Sequence, residues 1–571
     1  MRRILLSILF LFSLHANAQW NQRIAATRLA PGLNQALSNS DGSLWYAGLY
    51  RGMVEIGGAG APVIFNSTNS GDPEQFRYTG FMAKYSSGGT LAWTRELRSP
   101  SNRLNIQGMI EAPGQGAFLL GGFNGFLILN AGQADADTVQ ASGQFESPFI
   151  ARYSATGDLL WVKVLPANNN FFTSAPVFQW VNNQLVFVMS LNFGDIDLDP
   201  GTGTTRVFTP FLQPDETFFV MGVYDANGDF VRGGPFAKGN ELSVGRADKG
   251  NGQLAIPLSF TDTATVFLGG TSAVAGYRRT GSAPLLLLTS NLTSVSASYL
   301  PEVVSPAVCV GFMANYTGNR FRLLTALLSG TLDFNPGVGV DSANNLQAGG
   351  LTLYESSLSA TGNYLGYRKV AAATGQNIAA FYAGAGDTSQ LLFWGGPGVV
   401  VNDTTVFGTQ PDHQPTLILK ENGPLYTRLG MFSTNVLGVP FIGSNTNSLQ
   451  LAIRWRNSLY FNNQLLQQGG MGDYVELMQS NLNGLGLATA DDENQPATVY
   501  PNPATDFVLV KPGDQHHLSF QLYDLQGKLV LQQSIENGLE QQIRVDQLPK
   551  GTYLWRWQSA NRQGSGKIIK N

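Results

Sequence analysis

The chain has 571 residues, with 66 glycines, 27 prolines and only 13% charged residues, where a typical soluble domain carries roughly 25%. Its formal net charge of −4, spread along the chain without a basic cluster before the tail, argues against nucleic acid as a partner. With 43% hydrophobic and 11% aromatic residues and no three-residue glycine period, disorder and collagen are excluded, and a turn-rich all-β protein is expected.

Arg2 and Arg3, the apolar stretch Ile4 to Leu14 and the small residues Ala16-Asn17-Ala18 read as a secretory signal over residues 1–18, cut after Ala18. The stretch is too short to be a spanning helix, which needs about 20 apolar residues, and no later run approaches that length. No transmembrane segment is therefore expected. Removing Arg2 and Arg3 from the 35 basic residues leaves 33 against 39 acidic ones, a formal charge of −6.

Beyond the signal the chain repeats itself. One unit is an apolar strand, a glycine turn and a second strand carrying tryptophan. It runs Phe81 to Gly89 then Leu91-Ala92-Trp93, and returns as Phe149 to Gly157 then Leu159-Leu160-Trp161. A third copy is Phe219 to Gly228; the turn glycines Gly89, Gly157 and Gly228 lie 68 and 71 residues apart. Degenerate copies follow near Leu285, Leu358, Leu417 and Tyr474, making seven. A polar turn ending in glycine suits a hairpin because glycine takes positive φ without a Cβ clash.

Between these hairpins lies a more apolar one, as expected of strands covered on both faces. Its first strands are Leu44 to Leu49, Phe118 to Phe123, Leu185 to Leu191, Leu254 to Phe260, Phe321 to Leu328, Leu391 to Trp394 and Leu449 to Trp455. Two hairpins per period imply four strands per unit. Trp20 to Ala25 matches the second strand of a hairpin whose first strand is absent, while the last unit, from Asp473, lacks a good second strand. The expectation is that Trp20 to Ala25 completes that last unit and removes an open sheet edge.

The repeat, with Gly194-Asp195-Ile196-Asp197-Leu198-Asp199-Pro200-Gly201 and its partial copy Gly330 to Gly337, resembles the β-propeller repeats of secreted Bacteroidetes proteins. The resemblance implies a β-propeller of about seven four-stranded blades over residues 19–490. It implies little chemistry, since propellers host many functions.

Residue supply limits what that domain can catalyse. Cys309 is the only cysteine and is expected as a buried, inert thiol, and His413 is the only histidine between the signal and the tail. No catalytic residue and no cofactor are assigned. Asp195, Asp197 and Asp199 alternate along one strand and are a weak candidate for Ca²⁺, whose ligands are oxygens. The copy offers only Thr331, Asp333 and Asn335, so a solvated strand face leading into a Pro-Gly turn is the main expectation. Two functions stay open. One is a surface binding or scaffold protein with a glycan or protein ligand. The other is a carbohydrate-active enzyme with a carboxylate pair in the propeller channel, which needs two acids roughly 5 to 9 Å apart.

From Val499 the pattern changes to short alternating strands, after a linker at 484–496 containing Asp491, Asp492 and Glu493. Its motifs are Tyr500-Pro501-Asn502-Pro503-Ala504-Thr505-Asp506, Leu522 to Val530 with a turn at Gly527, Leu548 to Leu554 with Gly551 and Tyr553, and Gly566-Lys567-Ile568-Ile569-Lys570. Read on physics alone, residues 497–571 form a small Ig-like β-sandwich. The four motifs closely resemble the type A C-terminal sorting domain of type IX secretion cargo. That resemblance implies a secreted or cell-surface protein, the type IX machinery and its sortase as partners, tail removal near the linker, and attachment to surface lipopolysaccharide.

Overall fold

The computed structural model describes residues 18–30, 34–58, 61–67, 78–99, 103–142, 146–168, 177–191, 193–210, 212–337, 339–345, 350–373, 378–385, 388–395, 398–401, 404–407, 414–422, 425–434, 441–444, 448–461, 464–481, 498–500, 504–511, 517–524, 528–536, 541–558 and 563–570. The signal core, the linker and His413 lie outside them. The protein is all-β, with no helix among the described residues. It divides into two compact units, Met1–Gly486 and Leu487–Asn571.

In the large unit one antiparallel succession of four strands recurs. The first is Gln35–Ser38, Leu44–Ile56, Thr79–Tyr85 and Leu91–Leu97. The second is Leu104–Ala112, Gly116–Phe123, Ser147–Tyr153 and Leu159–Val164. The third is Val177–Val181, Gln184–Ser190, Glu216–Tyr224 and Phe230–Val244. Asp248–Gly250, Gln253–Val266, Ala275–Thr289 and Ala297–Tyr299 make the fourth. Glu302–Thr317, Arg320–Asp333, Leu351–Ser359 and Tyr364–Ala373 make the fifth. The sixth is Ile378–Ala385, Thr388–Gly395, Gln414–Asn422 and Leu425–Thr434. The last joins Phe441–Ser444, Ser448–Phe461 and Gln464–Asn481 to the N-terminal strand Ala18–Leu29.

Sequence pattern accounts for the layering inside each succession. Second and third strands such as Gly116–Phe123 and Thr79–Tyr85 are buried at every position, which fits a sequence apolar throughout the first and broken only by Thr79 and Lys84 in the second. Fourth strands such as Leu91–Leu97 are only half-buried and carry the polar residues. The turn before the fourth strand of the first, second, third and fifth successions holds a glycine at positive φ, 78° at Gly89, 82° at Gly157, 76° at Gly228 and 87° at Gly362.

Successive four-strand groups are stitched together in a regular way. Each throws out a hairpin between its second and third strands, and the strand or chain leaving the previous group pairs with it. The pairs are Ile24 with Ile56, Arg98 with Ile128, Ala167 with Ile196, Ala237 with Val266, Val303 with Leu332, Ala372 with Val400 and Phe432 with Phe461. The first strands also touch in turn, from Gln35–Ser38 to Leu104–Ala112 and onward to Phe441–Ser444, which touches Gln35–Ser38 again.

The core consists of apolar clusters between neighbouring groups rather than one central mass. Trp45, Met82 and Leu97 pack with Ile106, Met109 and Leu119; Phe118 and Ile150 pack with Phe178 and Leu185. One cluster joins the two ends of the unit, placing Trp20, Ile24, Leu29, Val475 and Leu477 with Leu44, Tyr50, Phe81 and Tyr85.

The small unit has a three-stranded sheet, Thr498–Tyr500, Phe507–Lys511 and Gln541–Arg544, and a four-stranded one. The latter is ordered Leu529–Glu536, His517–Tyr523, Gly551–Gln558 and Gln563–Lys570. A single apolar cluster containing Val508, Ile543, Phe520, Leu522, Tyr553 and Ile568 draws on both sheets.

Candidate functional site

In the small unit the tail motifs fall at points where the fold needs their residue types. Tyr500 ends its strand, whereas Pro501, Asn502, Pro503 and Gly527 lie outside the described residues. Asp506 is exposed, and its carbonyl accepts from the N–H of Val545 (2.8 Å) and Asp546 (3.0 Å). Asp524 Oδ1 accepts from the Lys528 N–H at 2.9 Å, and the Asp524 N–H donates to the Lys528 carbonyl at 3.0 Å. Gly551 opens its strand, and Tyr553 is a core residue whose hydroxyl donates to the Pro549 carbonyl at 2.8 Å.

Gly566 stands directly across from Trp555, and Gly564 across from Trp557. A strand position without a side chain leaves room for a large ring on its neighbour, so Trp555 and Gly566 form one arrangement. Lys567 is exposed opposite Leu554, Ile568 is buried, and the Ala504 N–H donates to the Ile569 carbonyl at 2.7 Å. The first motif is thereby tied to the last.

The acidic candidate in the large unit is organised differently from the solvated face expected of it. Asp195 and Asp197 are buried, and the strand there spans only Asp195–Asp197, so Asp199 lies beyond it. Burial is tolerated because fixed donors replace water. Asp197 Oδ1 accepts from the N–H groups of Asp199 (3.2 Å) and Thr205 (2.8 Å), and Asp195 pairs with Arg206 at 3.1 Å. Asp199 Oδ1 accepts from the Gly201 N–H at 2.9 Å.

The partial copy repeats this geometry. Asp333 Oδ1 accepts from the N–H groups of Asn335 (2.9 Å) and Asp341 (2.8 Å), and Asn335 Oδ1 from that of Gly337 (3.0 Å). Tyrosine hydroxyls brace both loops, Tyr224 on the Leu198 carbonyl (2.6 Å) and Tyr299 on the Phe334 carbonyl (2.7 Å). What recurs is a side-chain-capped loop, for which Asn serves as well as Asp. Among the described residues no three His, Cys, Asp or Glu side chains converge as metal ligands.

Cys309 is buried, donates to the Ser282 carbonyl at 3.1 Å, and burial pushes its thiol up to about 12. It is therefore a thiol, not a thiolate, at physiological pH. Glu146, which the sequence did not single out, is a buried carboxyl whose described partner is the Asn105 amide. Burial pushes it up to about 7, against a smaller pull from Arg103.

A second set missed in the sequence lies where the N-terminal strand meets Gln464–Asn481. Arg454 is buried and donates to Asp473 (2.9 Å) and to the Leu29 and Ala30 carbonyls (2.8 and 3.2 Å). Asp473 also accepts from Arg456 Nε (2.7 Å) and the Leu29 N–H (2.8 Å). Arg23 pairs with buried Glu476 at 3.3 Å. The readable signal was a set of isolated charges inside strands that carry almost no other charge.

Residues 498–571 match the family described as the secretion system C-terminal sorting domain. This tail indicates export by the type IX secretion system and a secreted or cell-surface destination. No curated protein matches the chain. Among solved structures, a protein of unknown function from Dyadobacter fermentans is 11% identical, with 81% of this chain and 98% of that one covered and a TM-score of 0.32. A structure titled "NanB plus Optactamide" is 10% identical, covering 80% of this chain and 69% of that one at a TM-score of 0.31. The Plexin A4 extracellular region is 8% identical, covering 81% of this chain and 52% of that one at 0.28.

Proposed function

We propose that this is a secreted or cell-surface β-propeller protein that binds a glycan or protein ligand and is delivered by the type IX route. The export part rests on one observation, the family match over 498–571. In this reading a sortase removes the tail within 484–496 and joins the remainder to surface lipopolysaccharide. The signal over residues 1–18 is removed after Ala18.

The propeller part is supported by the repeated four-strand successions and by the first strands touching in a cycle. Each succession acts as a blade, and Ala18–Leu29 closes the ring. Binding is the favoured role because the hairpins between second and third strands hold large apolar side chains in water. Ile64 is 49% exposed, Phe126 47% and Phe208 66%. Varied loops on a repeated rigid frame are a common way to build a recognition surface.

The test begins with full-length protein expressed in a cell that has the type IX route, with and without residues 498–571. Mass analysis should find a surface or medium form lacking both ends, and the deletion should leave the protein inside the cell. Unchanged localisation after deletion would sink the export reading. The trimmed large unit should then bind on a glycan or envelope-protein array, and Phe208→Ser with Phe126→Ser should weaken that binding at least tenfold without lowering its melting temperature.

A further inference from the structure

The strand Ala18–Leu29 is held like a bound ligand. It pairs on one side with Asp473 to Ser480 and on the other, from Ile24 onward, with Tyr50 to Ile56. Its backbone would satisfy any extended peptide, so discrimination must come from the side chains, and the slot grips several of them.

Trp20 is stacked on Tyr85 with centroids 6.0 Å apart and rests against the Gly89 turn, where any Cβ would collide with the indole. Its Nε1–H donates to the Ser87 carbonyl (2.9 Å) and to Gln479 Oε1 (3.2 Å), which Gln450 also holds at 2.8 Å. Gln22 donates to the Gly89 carbonyl at 3.0 Å. The Arg23 guanidinium lies 5.3 Å from the Trp455 ring centroid and 5.9 Å from that of Tyr474, beside the Glu476 carboxylate. Ile24 and Leu29 are fully buried, and Arg454 and Asp473 grip the backbone at Leu29.

We infer that the slot between Gln464–Asn481 and Leu44–Ile56 is a sequence-reading acceptor for an extended peptide. Its occupant is the chain's own 18–29 segment, and free peptide of that sequence can replace it. The class of ligand is a strand with an indole first, a guanidinium three residues later and an aliphatic side chain beside it. Indole and guanidinium sit in separate subsites, so each contributes to register as well as affinity. This inference rests on the strand's pairing and on the side-chain contacts along it, and stands apart from the export reading.

The experiment uses the full chain with a protease site placed in residues 31–33 and cut after folding. The released segment should stay bound through gel filtration, and fluorescein-labelled peptide 19–30 should exchange into the cut protein. Peptides with Trp20→Ala or Arg23→Ala should enter at least tenfold less well, whereas Arg28→Ala, at an exposed position, should enter like the native peptide. Should cutting unfold the protein, native peptide should restore the melting transition and the Trp20→Ala peptide should not. Loss of the segment with an unchanged melting temperature overturns the inference. Equal entry of all peptides, or failure of native peptide to restore a cut, unfolded chain, overturns it as well.

Discussion

The seam closed by the N-terminal strand and the internal seams of the large unit use the same clasp but different reinforcement. Inside the chain, Trp93 Nε1–H donates to the Ala155 carbonyl (3.2 Å) and Trp161 Nε1–H to the Ala226 carbonyl (3.1 Å). Each indole lies against the turn glycine of the next group, Gly157 or Gly228, as Trp20 does against Gly89. Arg232 holds the same strand position in the third succession and donates to the Leu292 carbonyl. At the closing seam the tryptophan is joined by Arg23 with Glu476 and by Arg454 and Arg456 with Asp473, two buried acids where the fifth succession has one, Glu355 with Arg322 and Arg368.

The difference has a physical reason. Internal fourth strands are tethered to their third strands by a short turn, which sets their register. Ala18–Leu29 has no such tether to Gln464–Asn481, and apolar burial alone tolerates slippage. Asp473, Glu476 and Arg454 are buried and punish a slip, because each would lose its partner in a place that water cannot reach.

The largest expected effect breaks that reinforcement. Asp473→Ala strands Arg454 and removes the acceptor for the Leu29 N–H, and should cost about 3–5 kcal/mol in denaturant unfolding of the large unit. Next, Trp20→Ala should cost about 3–4 kcal/mol, and Trp161→Ala, half-buried, clearly less. Equal losses would show that the two seams do not differ.

Glu146 sharpens the comparison by testing a buried carboxyl without the charged hydrogen-bonding partners of Asp473. Its folded value, about 7, lies above the ordinary value of 4.5, so the folded state binds the extra proton between those limits. Stability from this group is present below pH 4.5 and lost as pH rises to about 7. Glu146→Gln should therefore flatten that slope and melt higher than the parent at pH 8, by up to about 3 kcal/mol, while matching it near pH 4.5. A parallel pH profile for both proteins would contradict the placement of this group.

In the tail, Gly566→Leu puts a side chain opposite Trp555 and should cost about 1–3 kcal/mol, read as a lower melting temperature and less surface protein. The smallest effect is at Cys309. Cys309→Ala should cost about 1 kcal/mol, and the native thiol should resist alkylation until the protein unfolds.

The strand segments from Leu44 onward were legible in sequence because strands covered on both faces must be apolar along their length. The pairing of Trp20 to Ala25 with the segment after Asp473 was legible because a half-hairpin stood at each end of the repeat. Observed strands run longer, as with Leu44–Ile56 against Leu44 to Leu49, since the hairpins between second and third strands continue them. Those hairpins carry mixed side chains, and their pairing partners belong to the preceding succession.

By itself, the sequence determined the all-β class, the period of the repeat and the tail, because each is written in local spacing of apolar, aromatic and glycine residues. Only the tertiary structure decided what the charged residues do. Asp197 became the buried cap of a loop and Asp195 the buried partner of Arg206, Asp473 and Glu476 became the lock on the N-terminal strand, and Glu146 kept a carboxyl away from water. A carboxylate's role depends on which donors the folded chain brings to it, and those donors come from distant residues, as Arg454 and the Leu29 N–H do at Asp473.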